Sequence, residues 1–426
     1  MVASHLPHPF DAQKNPKSAP MAHTSTLPVL IVGAGPVGLL CALELARRGV
    51  PVLVIEAEPS TTLDLRAGTF HPPTIEMLQP DGVADAMLEV GIQVARWQSR
   101  DREHGLIVEW DLSALQKDTP YPFRLHLEQH RLTPILLEKL GAYPHAEVRF
   151  SHEFIGLTQR PDDVTVQARN AQGDVLLQAN WVIGADGGKS PVRKAAQIGF
   201  DGYTWPERYS VVSTTFDFEP LGYADNAYIS DPEQWIAFFR MPDKGPPGLW
   251  RMTLPVGQEL SDEEVLAAPF AQRAINRAIG APDTDRYPIV HQSVYRVHQR
   301  VANQFRVGRV LLAGDSAHVN NPLGGFGLNS GIHDAVNLGD KLARVFNGDA
   351  SADLLDLYER QRRTVAMEYV QNISIKNKEN LEEKDLGKRL ARFDELRAVA
   401  QDPEKTRAYL LMSSMINSIK RANAIT

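Results

Sequence analysis

Cysteine is nearly absent from this chain of 426 residues, because Cys41 is its only one. A single thiol can form no disulfide within the chain and cannot build a cysteine-based zinc site. Cys41 falls inside a predicted helix, so we expect it to serve in packing. The sequence also offers no spacing of histidines and carboxylates typical of a metal site, and no metal is predicted.

The chain also lacks an excess of positive charge. Its 45 Lys and Arg residues face 52 Asp and Glu residues, which gives a formal net charge of -7. Nucleic-acid binding depends on a basic surface that neutralises phosphates, so this composition argues against a nucleic-acid partner. Small neutral or weakly acidic ligands remain compatible with it.

Long uncharged runs are scarce, and the run from Leu27 to Leu43 is the one to consider as a membrane span. Its glycines and Pro36 would break a helix near the middle, and Glu44 follows at once. Residues 1–27 are rich in Pro, His, Ser and Lys, lack the order of a signal peptide and are predicted to form a disordered tail. We therefore expect a cytoplasmic protein with no membrane partner.

What is present from Leu27 to Glu56 reads as a strand, a glycine turn, a helix and a second strand that ends in an acid. The glycines fit the pattern G-x-G-x-x-G, which allows a tight turn, close approach of a pyrophosphate and close helix packing. Pro36 suits the first helical turn, whose positive end would face the pyrophosphate. Glu56 stands where a carboxylate can bind a ribose. The unit predicts a dinucleotide site.

Two later motifs carry further ligand chemistry. The first, IGADGGKSPVR at 183–193, follows a predicted strand and places Asp186 in a turn. The second begins as a buried strand that runs into Gly314 and Asp315, and continues through a glycine-rich loop into a helix. Asp315 is placed to bind a sugar hydroxyl, and the backbone N–H groups at the helix start could receive negative charge. His318 and His333 flank this loop and are predicted to be packed rather than ligating.

With these three motifs in order over about residues 28–345, the chain resembles the class A flavoprotein aromatic hydroxylases, the FAD-dependent monooxygenases typified by para-hydroxybenzoate hydroxylase. The resemblance implies bound FAD, NADH or NADPH as a transient co-substrate, and hydroxylation of a phenolic or other small aromatic substrate with O₂ through a C4a-hydroperoxyflavin. It implies no particular catalytic side chain, since FAD carries the chemistry.

The resemblance also implies roles for individual residues. Glu56 would bind the adenosine ribose, Asp315 the ribitol or pyrophosphate region, residues 324–329 the isoalloxazine edge, and Asp186 would lie near FAD and the passing nicotinamide. The full set implied in FAD binding is Gly33, Gly35, Pro36, Val37, Gly38, Glu56, Arg66, Gln129, Asp186, Asp315, Pro322, Gly325, Gly327, Leu328 and Asn329. Two positions depart from the family, which often has Gln at Phe326 and Arg at Lys189; the second change keeps the charge but loses a bidentate fork.

The predicted fold class is α/β, with a Rossmann-like FAD-binding domain, a β-sheet substrate domain and a helical C-terminal segment. The predicted boundaries are 28–198 with 290–345 for the FAD-binding domain, 199–289 for the substrate-binding sheet, and 346–426 for the helical region, which offers a surface for a homodimer. Short β-rich runs between residues 146 and 185 predict hairpins, and a helical insert is expected at 261–279.

Substrate contacts are expected from the strand-rich part near residues 200–295, where aromatic rings with one cation would suit a phenol or aromatic acid. The candidates are Trp235, Phe238, Arg240, Trp250, Arg251, His291 and Tyr295, together with Pro322 of the glycine-rich loop. Arg240 and Arg251 each interrupt an apolar strand. We therefore expect one of them to anchor an acidic or phenolic group.

Three alternatives remain open from the sequence. The same scaffold could support another FAD chemistry, namely epoxidation, halogenation or alkene reduction. A flavin-binding protein could instead sense an aromatic ligand without turnover. An NAD-dependent dehydrogenase could use the first fingerprint alone, but it would leave the Asp315 motif unexplained.

Overall fold

The computed structural model describes residues 27–61, 68–243, 248–284 and 286–426. Its strands are, in chain order, β1 (Val29–Val32), β2 (Val52–Ile55), β3 (Thr69–Phe70), β4 (Ile92–Val94), β5 (Arg96–Asp101), β6 (Gly105–Asp111), β7 (Arg124–His126), β8 (Ala146–Arg149), β9 (Glu153–Gln159), β10 (Val164–Asn170), β11 (Gly173–Ala179), β12 (Trp181–Gly184), β13 (Phe200–Thr214), β14 (Asn226–Ser230), β15 (Ile236–Met241), β16 (Leu249–Val256), β17 (Ile289–Ala302), β18 (Arg306–Val307), β19 (Val310–Leu312) and β20 (His318–Val319).

The helices are, in the same order, α1 (Pro36–Ala46), α2 (Pro72–Met77), α3 (Val83–Val90), α4 (Gln129–Leu140), α5 (Pro191–Ala195), α6 (Asp262–Leu266), α7 (Ala268–Ile279), α8 (Phe326–Phe346), α9 (Leu354–Val365), α10 (Asn372–Leu381), α11 (Leu386–Ala400), α12 (Pro403–Ser413) and α13 (Ile416–Asn423). A π-helical segment, Ala366–Gln371, joins α9 to α10. Within the described ranges, no helix combines the length and the apolar character needed to cross a membrane.

A six-stranded sheet forms the first layer, in the order β18-β19-β12-β1-β2-β8. Its strands are parallel except at the β18 edge. All four residues of β1 are buried, as expected for a strand covered on both faces by helices. The strand, turn, helix and strand predicted from Leu27 to Glu56 are confirmed. Helix α1 has only 11 residues and contains Glu44, so it does not form the long uncharged helix of a membrane span.

An eight-stranded, mostly antiparallel sheet forms the second large layer, in the order β20-β17-β13-β16-β15-β14-β5-β6. One of its faces packs with the helical insert, now seen as α6 and α7, in a separate apolar core. The long strands β13 and β17 pair with each other, and their ends at Phe200 and Ala302 pack in the core of the first sheet. Strands β5 and β6 join it from residues 96–111, far from its other members in sequence.

The hairpins predicted between residues 146 and 185 are confirmed only in part. Strands β9, β10 and β11 form an antiparallel meander, whereas β8 and β12 pair in parallel with β2 and β1. The helical prediction for the C-terminal region is confirmed by α9 to α13. Helices α11 to α13 close a core against the β5 and β6 edge, in which Tyr409 stacks on Trp110 at 4.2 Å between ring centroids.

Candidate active site

One cavity of about 650 Å³ lies between the two large sheets. On one side it meets the carboxyl ends of four parallel strands, which deliver Gly33 after β1, Glu56 after β2, Asp186 after β12 and Asp315 after the short loop that follows β19. Carboxyl ends of parallel strands share one edge of a sheet, where ligands of open α/β sheets bind. We call this side the nucleotide half of the cavity.

The glycine turn is shaped by two different needs. A Cβ on Gly38 would lie 2.0 Å from the carbonyl oxygen of Gly33, so Gly38 allows α1 to pack on the turn. Gly33 has φ +106° and leaves only 2.4 Å for a Cβ beside the carbonyl of Ala185. A Cβ on Gly35 would meet no atom within 4 Å, and Gly35 lines the cavity. Bare backbone therefore faces open space at the N-terminus of α1, where a pyrophosphate would fit.

Backbone N–H groups hold the Glu56 carboxylate at the cavity wall. Ala34 N donates to Glu56 Oε2 at 2.7 Å, and Glu58 N donates to Oε1 at 3.0 Å. Each carboxylate oxygen can accept more than one hydrogen bond, so this geometry leaves acceptor capacity for ribose hydroxyls.

Asp186 is fixed by the turn that follows it. Its carboxylate accepts from Ser190 Oγ at 2.5 Å and from Val192 N at 2.9 Å. Burial raises the pKa of Asp186, and the hydrogen bonds from Ser190 and Val192 oppose that rise. The buried Arg193 guanidinium donates to the carbonyls of Ser316 and Gly188, which ties this turn to the Asp315 turn.

The glycine-rich loop and the start of α8 complete the nucleotide half. Pro322, Gly325, Gly327 and Leu328 line the cavity, as does Phe326, which stacks on His71. Asn329 does not: its amide donates to the carbonyls of Thr69 and Gly325 and its Oδ1 accepts from His71 N, so it fastens the loop from behind.

One residue of this part of the cavity lining also carries an unsatisfied buried acceptor. Asn320 Oδ1 has no hydrogen-bond donor within the described part of the chain, although Asn320 lines the cavity. Open backbone at Gly35, acceptors at Glu56 and Asp315, and this orphaned oxygen together suit a dinucleotide that carries ring and ribose donors. Gln129 lines the cavity as well, whereas Arg66 lies outside the described residues.

The other side of the cavity, here called the substrate half, is a face of the eight-stranded sheet. Strand alternation selects the residues, since successive side chains point to opposite faces. The lining residues of the substrate half are Ala237, Phe239 and Met241 of β15, Arg251 and Thr253 of β16, and Tyr295 of β17, with Pro322 and Leu323 of the loop. Ile236, Phe238, Trp250 and Met252 alternate with them and belong to the core behind the sheet.

The predicted substrate candidates are divided by this alternation. Arg251, Tyr295 and Pro322 line the cavity, and Phe238 and Trp250 do not. Trp235 is buried in another core, where its indole N–H donates to Glu382. Arg240 pairs with Glu219 at 3.0 Å and Asp225 at 3.1 Å, and neither it nor His291 lines the cavity.

On strands β15 and β16, four lining residues were not predicted from the sequence, namely Ala237, Phe239, Met241 and Thr253. Since alternate residues of a strand share a face, Arg251 predicts that Thr253 also faces the cavity. The pairing of Phe239 with Arg251 then identifies Phe239, and alternation along β15 identifies Ala237 and Met241.

Arg251 forms a buried ion pair inside the substrate half. Its Nη2 lies 3.0 Å from Glu128 Oε1, and the two side chains are 3% and 4% exposed. Glu128 Oε2 also pairs with Arg131 at 3.1 Å. The cation in this wall is therefore compensated by a carboxylate at the start of α4.

The two histidines near the loop are packed, as predicted. His318 Nε2 lies 2.7 Å from Asp334 Oδ2, and His333 Nε2 lies 2.8 Å from Thr74 Oγ1, both fully buried. Burial, with Arg362 nearby, holds the pKa of His333 well below its usual value.

Comparison with known proteins gives concordant results. A family described as "FAD binding domain" matches residues 26–373. Para-nitrophenol 4-monooxygenase of Pseudomonas sp. (strain WBC-3) is 35% identical over 389 residues, covering 91% of this chain and 96% of that protein. 6-Hydroxy-3-succinoylpyridine 3-monooxygenase of Pseudomonas putida (strain DSM 28022 / S16) is 37% identical over 354 residues, covering 83% and 88%.

Solved structures agree with these relatives. The crystal structure of p-nitrophenol 4-monooxygenase from Pseudomonas putida DLL-E4 superposes with a TM-score of 0.87 at 33% identity, over 93% of this chain and 98% of that one. A ternary complex of aklavinone-11 hydroxylase with FAD and aklavinone gives a TM-score of 0.73 at 29% identity, over 83% and 69%.

Proposed function

Because this chain belongs to the class A flavoprotein aromatic hydroxylases, and is thus an FAD-dependent aromatic monooxygenase, we propose that it hydroxylates a single-ring phenol held in the substrate half of the cavity. The observation that carries this proposal is the continuity of the cavity. The same space touches Glu56 and the glycine turn at one end and Phe239 and Arg251 at the other. A bound dinucleotide and an aromatic ring could therefore meet within it.

The nucleotide half supplies the contacts that FAD needs. Glu56 would accept from the adenosine ribose, the N-terminus of α1 would face the pyrophosphate, Asp315 would accept from the ribitol, and backbone N–H groups from Gly325 to Leu328 would meet the isoalloxazine edge. Asp186 and Gln129 would border the cofactor as well. When bound, FAD supplies the redox chemistry, using NADH or NADPH and O₂.

The protein's own task is to hold the ring and keep water away from it. Phe239, Met241 and Leu323 present apolar surface to the substrate half, and Phe326 closes the wall beside the loop. A site that excludes water limits side reactions of reactive intermediates with water. Arg251 and Tyr295 are the polar groups placed to orient a ring substituent.

The Arg251–Glu128 pair narrows the substrate class. Since Glu128 offsets the charge of Arg251, the substrate half favours a phenol with a dipolar substituent over one with several negative charges. The para-nitrophenol 4-monooxygenase to which this chain is similar is named for such a compound, so para-nitrophenol is the first substrate to test.

The test is a screen of phenols and aromatic acids for stimulated NAD(P)H oxidation by the FAD-loaded protein, with product identified after reaction under ¹⁸O₂. We expect one ¹⁸O atom in a hydroxylated product. An epoxide, a halogenated ring or a reduced alkene would identify another FAD chemistry. Binding of a phenol without any stimulated oxidation would identify a sensor and contradict the proposal.

A pair of arginine variants tests the substrate anchor. Arg251→Lys keeps the charge beside Glu128 but loses the planar fork, and we expect it to raise the substrate KM about tenfold, which is about 1.4 kcal/mol. Arg240→Lys on the neighbouring strand is the matched control, because Arg240 does not line the cavity and pairs with Glu219 and Asp225, which do not line it either. An unchanged KM in Arg251→Lys, with binding also unchanged in Arg251→Met, would refute this role.

Three further expectations for the chain remain predictions. They include the division into residues 28–198 with 290–345, 199–289 and 346–426, the cytoplasmic location, and a homodimer formed through the C-terminal helices.

A further inference from the structure

A buried carboxylate lies behind the nucleotide half of the cavity and does not line it. Asp334 of α8 is 0% exposed, and its two oxygens serve three donors from different parts of the chain. Oδ2 accepts from Gly314 N at 3.0 Å and from His318 Nε2 at 2.7 Å, and Oδ1 accepts from Arg362 Nε at 2.6 Å. A buried charge is tolerated only when it is held this fully.

The first two donors are the two ends of one short turn. Gly314 opens a 3₁₀ turn, Gly314–Ser316, and His318 opens the strand that follows it. Asp315 lies between them, exposed to the cavity that Gly314 and His318 do not line. By holding both ends of the turn, Asp334 fixes the direction in which Asp315 points.

The third donor connects this turn to the C-terminal helices. Arg362 of α9 is 1% exposed, and its Nη2 also donates to the carbonyl and the hydroxyl of Ser330, at 3.2 and 3.0 Å. Ser330 stands one turn into α8, two residues after the cavity-lining Leu328. Arg362 thus braces the start of α8 and the Asp334 carboxylate together.

We propose that Asp334 is a positioning residue for FAD: it holds Asp315 and the first turn of α8 in their binding geometry, and Arg362 couples this arrangement to α9. The proposal rests on the cofactor site described above and adds to it a residue that touches no ligand. It also gives the C-terminal helices a part in cofactor binding.

A second buried aspartate provides a matched control. Asp101 of β5 is bonded to His104 Nδ1 at 2.8 Å, to Arg389 Nη2 at 2.7 Å and to Ser230 Oγ at 2.9 Å. Like Asp334, it is bonded to a histidine, to backbone N–H and to an arginine from the C-terminal helices. Asp101 is remote from the cavity lining, so its loss should affect stability alone.

The experiment measures FAD affinity of the full-length apoprotein by quenching of flavin fluorescence, alongside thermal unfolding without FAD. We expect Asp334→Asn to raise the Kd for FAD about tenfold or more, which is about 1.4 kcal/mol, because both anchors of the Asp315 turn weaken. Arg362→Met should weaken binding in the same direction and alter the visible flavin spectrum. Asp101→Asn should lower the melting temperature and leave the Kd unchanged.

Two outcomes would overturn the proposal. One is an unchanged Kd in Asp334→Asn together with a lower melting temperature, and the other is an equal loss of affinity in Asp101→Asn. If Asp334→Asn does not fold, His318→Phe replaces it, since it keeps an aromatic ring beside Phe305 and removes the N–H donor to Asp334. Failure of the wild-type protein to bind FAD would instead refute the cofactor site itself.

Discussion

At the scale of single residues, two buried histidines hold segments that lie next to the cavity lining. His71 donates from Nε2 to the carbonyl of Gly324 at 2.8 Å, and His126 donates from Nδ1 to the carbonyl of Arg240 at 2.9 Å. The other ring nitrogen of each histidine has no hydrogen-bond partner within the described part of the chain. Burial, with the positive charge of Arg124 nearby, lowers the pKa of each to about 3 from 6.5.

These histidines predict a loss of stability in mild acid. The unfolded chain takes up their protons near pH 6.5, whereas the folded protein does so only near pH 3, so the folded state loses stability as the pH falls through that window. Each histidine can contribute a slope of up to about 1.4 kcal/mol per pH unit. Urea unfolding of the apoprotein from pH 7 to pH 5 measures this slope.

The variant His71→Asn should flatten part of that acid slope, because asparagine keeps an N–H donor and does not titrate. Its stability at pH 7 should fall only by the difference in packing and hydrogen bonding, about 1–3 kcal/mol. Parallel curves for the wild type and the variant would show that His71 does not carry the effect.

The positions of residues near the strand ends could be predicted because a recognisable sequence pattern precedes each of them. Glu56, Asp186 and Asp315 each come soon after a short buried run, and parallel strands bring such positions to one edge. Asn329 could not be assigned this way. Its spacing fits a ligand contact, yet its amide donates to the carbonyl oxygens of Thr69 and Gly325. Thr69 is 260 residues away in the chain, and no sequence pattern marks either carbonyl as a partner.

At the scale of the element, β15 shows where a sequence pattern loses information. The run from Ile236 to Phe239 is apolar at every position, so it predicts a strand buried on both faces but not which face meets the cavity. Pairing settles the phase: Phe239 lies opposite Arg251, and Phe238 lies opposite Met252. Phe238 is a predicted substrate contact because an aromatic ring beside a cation suits a phenol. That prediction is wrong, since Phe238 pairs with Met252 and lies in the core behind the sheet.

Two alanine variants of neighbouring residues test this phase. Phe239→Ala should raise the KM for a phenol and cost little stability, since the ring is only partly buried beside the cavity. Phe238→Ala should leave the KM nearly unchanged and destabilise the fold by about 3–5 kcal/mol, since its ring is fully buried in the core. Steady-state kinetics and denaturant unfolding separate the two. A raised KM in Phe238→Ala together with lost stability in Phe239→Ala would mean that the assigned face is wrong.

At the scale of the whole molecule, the second sheet is assembled from distant segments. Strands β5 and β6 reach it from residues 96–111, and β14 pairs with β5 in parallel among otherwise antiparallel neighbours. Nothing local in that stretch specifies this pairing, because it depends on contacts between segments far apart in the chain. The glycine turn and its βαβ unit were predictable for the opposite reason, since the contacts that define the unit, the pairing of β1 with β2 and the packing of α1 on the turn, lie within about thirty residues.

Because the cavity is walled by both large sheets, FAD should stabilise the molecule as one unit. A ligand that binds only the folded state adds about 2.7 kcal/mol at a free concentration one hundred times its Kd. Calorimetry of the apoprotein at increasing FAD concentrations should therefore show a single unfolding transition whose midpoint temperature rises. Glu56→Gln, which weakens the ribose acceptor, should reduce this shift at equal FAD, whereas Asp101→Asn should start lower and shift by the wild-type increment. A separate transition that ignores FAD would show that the sheet bearing Phe239 and Arg251 folds independently of the cofactor.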